Sequence, residues 1–266
     1  MSAAHAETAA LVTGGAQGLG LAVARQLIAE GCRSIALADI NQAAVTKAAQ
    51  DLSDADTRVV PLVVDMADAE AVLAMVDAAA ARMGRVTALV NAAARTDRGS
   101  IFDTSPAQWD GMMDTNAKGP FFALQRFAAL AAAAGHPASA VNILSIVVHG
   151  GLPVLAPYVA SKGALMAITR NSAAALARHR IRVNGINVGW MDTPAEDVIQ
   201  RKWHGRTDGW QAEAGAHLPF GRLLHPEEVA RQVTFLLGPH SGVVTGSVMD
   251  FDQQVIGAYP DTDTAG

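Results

Sequence analysis

Apolar strand-like runs alternate with alanine-rich helical stretches along the whole chain, which predicts an α/β fold with a central parallel sheet and helices on both faces. Two further observations support a doubly wound arrangement. A strand, a glycine-rich loop and an amphipathic helix follow one another near the start, and no linker-like segment interrupts the alternation afterwards. One domain is therefore expected to cover residues 1–266, with an irregular insertion at about 189–218 and a frayed tail at about 259–266.

Composition narrows the function classes. Half of the 266 residues are apolar, ample for a sizeable core. A net charge of −5 gives no electrostatic case for nucleic acid or an anionic membrane. No apolar run reaches transmembrane length, and the start lacks a signal peptide's charged and hydrophobic regions. A soluble cytoplasmic protein is expected. The single Cys32 reads as a small buried residue, and no His/Cys/Asp cluster has metal-ligand spacing, so no metal is predicted.

Thr8-Ala9-Ala10-Leu11-Val12 reads as the first strand, running into Thr13-Gly14-Gly15-Ala16-Gln17-Gly18-Leu19-Gly20 and a helix to about Glu30. The glycines allow a tight turn and close approach of backbone to a pyrophosphate, which the helix N-terminus attracts through unpaired N–H groups and its positive dipole. Ser34–Asp39 is the second strand and ends in an acid about 20 residues past the loop. A carboxylate there accepts hydrogen bonds from ribose hydroxyls and repels a 2′-phosphate, arguing for NAD over NADP; an N-cap role for Asp39 at the helix from Gln42 is compatible with this and does not displace it.

A third strand is expected at 58–64, followed by Asp65-Met66 and a helix over 68–83. Arg85–Val90 is the fourth strand, ending in Asn91-Ala92-Ala93-Ala94, whose small side chains let a flat ligand lie against the backbone. A long helix from about Pro106 carries Asp114-Thr115-Asn116 and continues through Phe122. Then come the strand ending at Ser145, a helix over about 157–179, the strand Ile181–Asn187, the irregular stretch from Val188 to Leu218 with three tryptophans, a helix over 226–237 and a last strand over 245–250.

Tyr158-Val159-Ala160-Ser161-Lys162 puts a phenol and an ammonium one turn apart on the same helix face. A free tyrosine has a pKa of about 10, and lowering it to about 7 needs roughly 4 kcal/mol of preferential phenolate stabilisation. A nearby ammonium in a desolvated cleft supplies stabilisation of that order. Ser145, at a strand's carboxyl end, adds a hydroxyl donor where open α/β sheets bind ligands. A donor, a tunable phenol and a fixed cation suit proton transfer at an alcohol or carbonyl oxygen.

These motifs, in this order and spacing, resemble the short-chain dehydrogenase/reductase family over nearly the whole chain. The resemblance implies a Rossmann-type domain and an NAD-dependent oxidoreductase. Gly14, Gln17, Gly18, Leu19 and Gly20 would form the cofactor loop, with Asp39 as the NAD-selecting acid. Asp65 and Met66 would meet the adenine, and Asn91 and Ala92 would lie along the cofactor. Asn187-Val188-Gly189 followed by Thr193 resembles its Asn-Pro-Gly-x-x-x-Thr segment, so Val188 and Gly189 would lie along the cofactor and Thr193 would meet the nicotinamide carboxamide. Tyr158 would be the general base or acid and Ser145 would hold the substrate oxygen. Lys162 would bind the nicotinamide ribose and lower the Tyr158 pKa, and Asn116 would anchor a relay water.

Three departures stand out: alanines at 92 and 94 where the family has asparagine and glycine, Val188 for proline, and Asp252-Gln253-Gln254 for Asp-Gly-Gly, the last expected to alter a subunit contact. Arg95, Thr96, His149, Leu155 and Trp190 are candidate substrate neighbours. Arg201, Lys202, His204 and Arg206 read as a solvated helix face; the alternative is that one of them grips a substrate carboxylate or phosphate. The expected substrate is a secondary alcohol on a sugar, polyol or other small hydroxylated molecule. The alternatives are a 3-oxoacyl thioester reductase and a catalytically silent NAD-binding sensor or scaffold. Resemblance of the 106–134 and Tyr158 helices to the family's dimerising pair implies a homotetramer.

Overall fold

The computed structural model describes residues 3–258. Within it seven strands pair in parallel throughout: β1 (Ala9–Thr13), β2 (Ser34–Asp39), β3 (Arg58–Val63), β4 (Ala88–Asn91), β5 (Ala138–Ser145), β6 (Ile181–Val188) and β7 (Val248–Phe251). Their spatial order is β3-β2-β1-β4-β5-β6-β7. The order reverses between β1 and β4, and the crevice at their carboxyl ends is where such sheets bind ligands.

Period-two alternation feeds two cores. From β1 and β2, Ala10, Val12, Ile35 and Leu37 face α1 (Gly18–Ala29), α2 (Gln42–Leu52) and α9 (Pro226–Leu237). Leu11, Ala36 and Ala38 face the other way, towards α3 (Ala69–Met83), α5 (Gly119–Ala134) and α6 (Ala156–Leu176). Cys32 is buried beside the first core; burial pushes its thiol up, and its Sγ–H donates to the Thr8 carbonyl at 3.1 Å. It is a packing residue, as its sequence context indicated.

The observed elements depart from the sequence reading in two places that matter for the site. The long helix from Pro106 is not continuous: α4 (Pro106–Met113) and α5 are joined by a π-helical turn over Asp114–Lys118. Pro120 lacks the N–H that an α-helix would bring to the Asn116 carbonyl, so the ladder slips, and the Gly119 N–H reaches back to the Asp114 carbonyl.

The stretch from Val188 to Leu218 is also more regular than expected, since it contains α7 (Pro194–His204) and α8 (Trp210–Gly215). The Thr193 side chain caps α7 by accepting from the Glu196 N–H at 3.1 Å. Trp210 is buried and stacks on Trp190 with ring centres 5.8 Å apart. This small apolar nucleus, not seen as helical periodicity, is what orders the segment.

The segment before β1 is docked on the fold. His5 is buried, with Nε2 3.1 Å from the Thr234 carbonyl and 3.3 Å from Glu30, tying the segment onto α9 and the end of α1. The tail expected to fray at 259–266 lies outside the described residues.

Candidate active site

A cleft of about 990 Å³ opens at the carboxyl edge of the sheet, and Ser145, Tyr158 and Lys162 all line it. The three residues expected to do proton chemistry therefore meet on one wall. Asn116 lies behind that wall, fully buried on the π-helical turn. Its Oδ1 accepts from the Arg95 N–H at 2.8 Å, and its Nδ2 donates to the Ser161 hydroxyl at 3.0 Å. It thereby joins the segment after β4 to α6.

Lys162 is buried, and its ammonium donates to the Ile143 carbonyl at 2.7 Å. That uses one of three N–H donors; among the described residues the other two have no protein acceptor. Burial pushes the ammonium down to about 8. Burial likewise pushes the Tyr158 phenol up to about 12, partly opposed by a hydrogen bond from Ser145. The lowering of the Tyr158 pKa expected from Lys162 is thus not achieved by the protein alone. Desolvation disfavours the phenolate more than its neighbours favour it.

The glycine loop is shaped for close approach. Gly14 and Gly18 have φ of +65° and +52°. A Cβ on Gly20 would overlap the Gly14 carbonyl oxygen, and one on Gly14 would come within 2.9 Å of the Ala93 backbone. The first turn of α1 has no side-chain cap and no acidic residue, leaving its N–H groups and dipole for an anion. Thr193 stands next to Gly18, where a Cβ would lie 3.5 Å from its methyl group. Thr193, Ala92, Val188 and Gly189 line the cleft itself.

Asp39 accepts from the Ala16 N–H at 3.2 Å and from the Asn41 N–H at 3.0 Å. The helix cap is Asn41, whose side chain accepts from the Ala44 N–H, so the capping role for Asp39 falls away. Asp65 is exposed at the end of β3 and Met66 is buried beneath it against Gly119. Asn91 is buried and donates to Asn142 Oδ1 at 2.8 Å; Asn142 in turn donates to the Thr169 hydroxyl at 2.9 Å. Asn91 is accordingly a strut between strands and α6. Its own Oδ1 has no partner among the described residues. The residues present fit a dinucleotide: a glycine cradle without side chains, an uncapped helix start, an acid at the β2 end and a buried ammonium with two unused donors.

Of the substrate candidates, Leu155, Thr96 and Trp190 line the cleft; Arg95 and His149 do not. Arg95 is neutralised by Asp97 at 2.6 Å. His149 turns to Asp250 at 2.8 Å and to Asn187 at 3.2 Å, joining the segment after β5 to β7. The basic residues in and just after α7 are mostly engaged locally: Arg201 pairs with Asp197 and Asp208, and Arg206 with Glu213. Asp252 and Gln254, one of the departures from the family pattern, line the cleft, with the Asp252 carboxylate packed on Gly189.

The sequence reading missed Arg98, Glu196 and Gln200 on the cleft wall. Glu196 had a readable signal, because Thr193-x-x-Glu196 is a helix-start pattern. Arg98 had none, lying in an irregular segment placed only by contacts distant in sequence.

A family model described as Enoyl-(Acyl carrier protein) reductase matches residues 14–253. The chain belongs to the short-chain dehydrogenase/reductase family. It is 33% identical to 2-(S)-hydroxypropyl-CoM dehydrogenase 3 of Xanthobacter autotrophicus, over 91% of this chain and 93% of that one. It is 31% identical to galactitol 2-dehydrogenase of Agrobacterium fabrum, covering 91% and 95%. The crystal structure of levodione reductase superposes with a TM-score of 0.85 at 27% identity, covering 93% of this chain and 96% of that one. Membership makes the chain an oxidoreductase of a family that uses nicotinamide cofactors. Among the described residues, no helix is long and apolar enough to cross a membrane.

Proposed function

We propose that this short-chain dehydrogenase/reductase moves a hydride between NAD(H) and a secondary alcohol or ketone on a small hydroxylated molecule such as a sugar or polyol. The observation that carries this reading is the convergence of Ser145, Tyr158 and Lys162 on one cleft wall, beside Thr193 and the glycine loop. When bound, the nicotinamide ring supplies the hydride acceptor or donor and, oxidised, a positive charge beside the phenol. Tyr158 takes the alcohol proton during oxidation and returns it during reduction. Ser145 donates a hydrogen bond to the substrate oxygen and fixes its distance from the phenol. Lys162 holds the ribose with its two unused donors, and its charge favours the phenolate.

Asp39 supports NAD over NADP, since Ile40 follows it and no base adjoins it to neutralise a 2′-phosphate. A cytoplasmic homotetramer is part of the same proposal. The apolar groove between α5 and α6, lined by Phe121, Leu124, Ala128 and Leu176, supports a subunit contact there. Sedimentation as a monomer at micromolar concentration would count against it.

The deciding assay follows NADH formation with NAD, and separately NADPH formation with NADP, across sugars, polyols, hydroxy acids and secondary alcohols. Turnover with NAD that drops about 10²- to 10⁴-fold in Tyr158→Phe, with NADH binding retained, is the expected result. Turnover only with NADP overturns the reading of Asp39. NADH binding without turnover of any compound favours the sensor alternative.

A further inference from the structure

Arg98 is placed on the cleft wall by a rigid frame. Its neighbour Gly99 donates to the Val154 carbonyl at 2.9 Å and accepts from the Ala156 N–H at 2.9 Å, which pins the segment to the start of α6, two residues before Tyr158. Gln108 Nε2 donates to the Arg98 carbonyl at 3.4 Å. The side chain then crosses to the end of α7, where Nε donates to His204 Nε2 at 3.1 Å and Nη1 to the Thr96 carbonyl at 2.9 Å. A guanidinium has five N–H donors, so three remain on the two terminal nitrogens, in the forked arrangement that matches a carboxylate.

Among the described residues Arg98 has no carboxylate partner, whereas Arg95, Arg201, Arg206 and Arg222 are each paired with a carboxylate. Its charge reaches the Tyr158 phenol, where it favours ionisation against the opposite influence of Glu196. Glu196 faces the same cleft, its Oε1 accepting from Trp190 Nε1 at 2.9 Å and Gln200 Nε2 at 2.7 Å. A fixed carboxylate there disfavours a second negative charge on whatever binds. Arg98 is thus the guanidinium on the cleft lining that lacks a carboxylate partner, and with Glu196 and Asp252 also on that lining the balance favours a ligand with a single carboxylate.

We propose that Arg98 binds a carboxylate of the substrate, which makes the substrate a hydroxy monocarboxylic acid or the corresponding oxo acid. The proposal rests on the oxidoreductase reading and narrows its substrate class. It differs from the basic-helix alternative because the gripping group comes from the segment after β4 and not from α7.

The test uses the full chain with NADH or NAD and matched sets of short 2-, 3- and 4-hydroxy acids, their carboxamides and their methyl esters. Turnover is measured for wild type, Arg98→Gln and Arg98→Lys, and thermal stabilisation of the NADH complex by the same compounds is read in parallel. The expected result is that carboxylates exceed carboxamides about 10- to 100-fold in kcat/KM, mainly through KM, and that Arg98→Gln abolishes this preference while Arg98→Lys keeps part of it. NADH affinity unchanged in both variants shows that they fold. Absence of any carboxylate preference in wild type, by turnover and by stabilisation, overturns the proposal, as does a preference that survives in Arg98→Gln. Equal losses for all three compound sets would mark Arg98 as a structural tie to His204 and also overturn it. The two readings fail separately: neutral alcohols turned over without charge preference sink only the Arg98 proposal. Arg98-dependent carboxylate stabilisation without turnover of any compound sinks only the oxidoreductase reading.

Discussion

Lys162 Nζ lies 5.7 Å from the centre of the Tyr158 ring, held there by its hydrogen bond to the Ile143 carbonyl. The two groups are buried together and shifted in opposite directions, the ammonium down to about 8 and the phenol up to about 12. Each shift favours the neutral form, because burial penalises either charge.

That arrangement fixes how stability depends on pH. Unfolded lysine and tyrosine titrate at about 10.4 and about 10. Between about 8 and 10.4 the unfolded chain binds more protons at Lys162 than the folded chain, so this site's contribution to stability rises with pH. Between about 10 and 12 the folded chain keeps the Tyr158 proton that the unfolded chain has lost, so that contribution falls. Lys162→Met is therefore expected to gain most over wild type below pH 8 and to lose that advantage towards pH 10.4. Tyr158→Phe is expected to gain on wild type above pH 10. Urea midpoints measured from pH 7 to 11 check both; profiles parallel to wild type would contradict the assigned shifts.

Asp39 is held by two backbone N–H groups, and on the proposed reading its fixed carboxylate would repel a 2′-phosphate. Removing its charge in Asp39→Asn relieves a like-charge contact; about 2 kcal/mol of relief corresponds to roughly 30-fold. The kcat/KM ratio of NAD to NADP is expected to fall by about that factor. An unchanged ratio would mean that another group sets cofactor choice.

Gly20 illustrates a constraint of space. A methyl group there would overlap the Gly14 carbonyl, so Gly20→Ala must displace either the helix or the loop. Overpacking of this kind costs about 1–3 kcal/mol. The expected outcome is a lower melting temperature together with weakened NADH binding, read by fluorescence titration. Loss of stability with NADH affinity intact would show that the loop does not form the cofactor cradle.

The buried chain from Asn91 through Asn142 to Thr169 ends at the Leu165 carbonyl, which accepts from the Thr169 hydroxyl at 2.8 Å. Thr169→Val keeps the shape and leaves the fully buried Asn142 Nδ2 without its acceptor. A penalty of about 1–3 kcal/mol is expected from chemical denaturation. A penalty near zero would show that water reaches this network.

The alternation of strands and helices, the glycine loop, the acid ending β2 and the Tyr158/Lys162 pair are all legible in the chain's residues. Each is a local pattern: period two for buried strands, glycine where a Cβ has no room, and four-residue spacing on one helix face. Even the break between α4 and α5 was written locally, since Gly119-Pro120 removes a helical donor, although the pattern of apolar residues concealed it. The two helices between β6 and α9 were less legible because their order comes from Trp190 stacking on Trp210 rather than from a long amphipathic repeat.

Which charges are paired and which are free depends on contacts between residues far apart in the chain. Arg95 and Arg98 are equally basic in sequence and three residues apart, but Asp97 neutralises the first, while Gly99's hydrogen bonds to residues 154 and 156 hold the second on the cleft wall. His149, close in sequence to Ser145, is drawn away by Asp250 from a strand a hundred residues later. The Tyr158 pKa was decided the same way. Spacing puts an ammonium beside the phenol, but burial by the whole fold sets the cost of charging it, and in the protein alone that cost prevails.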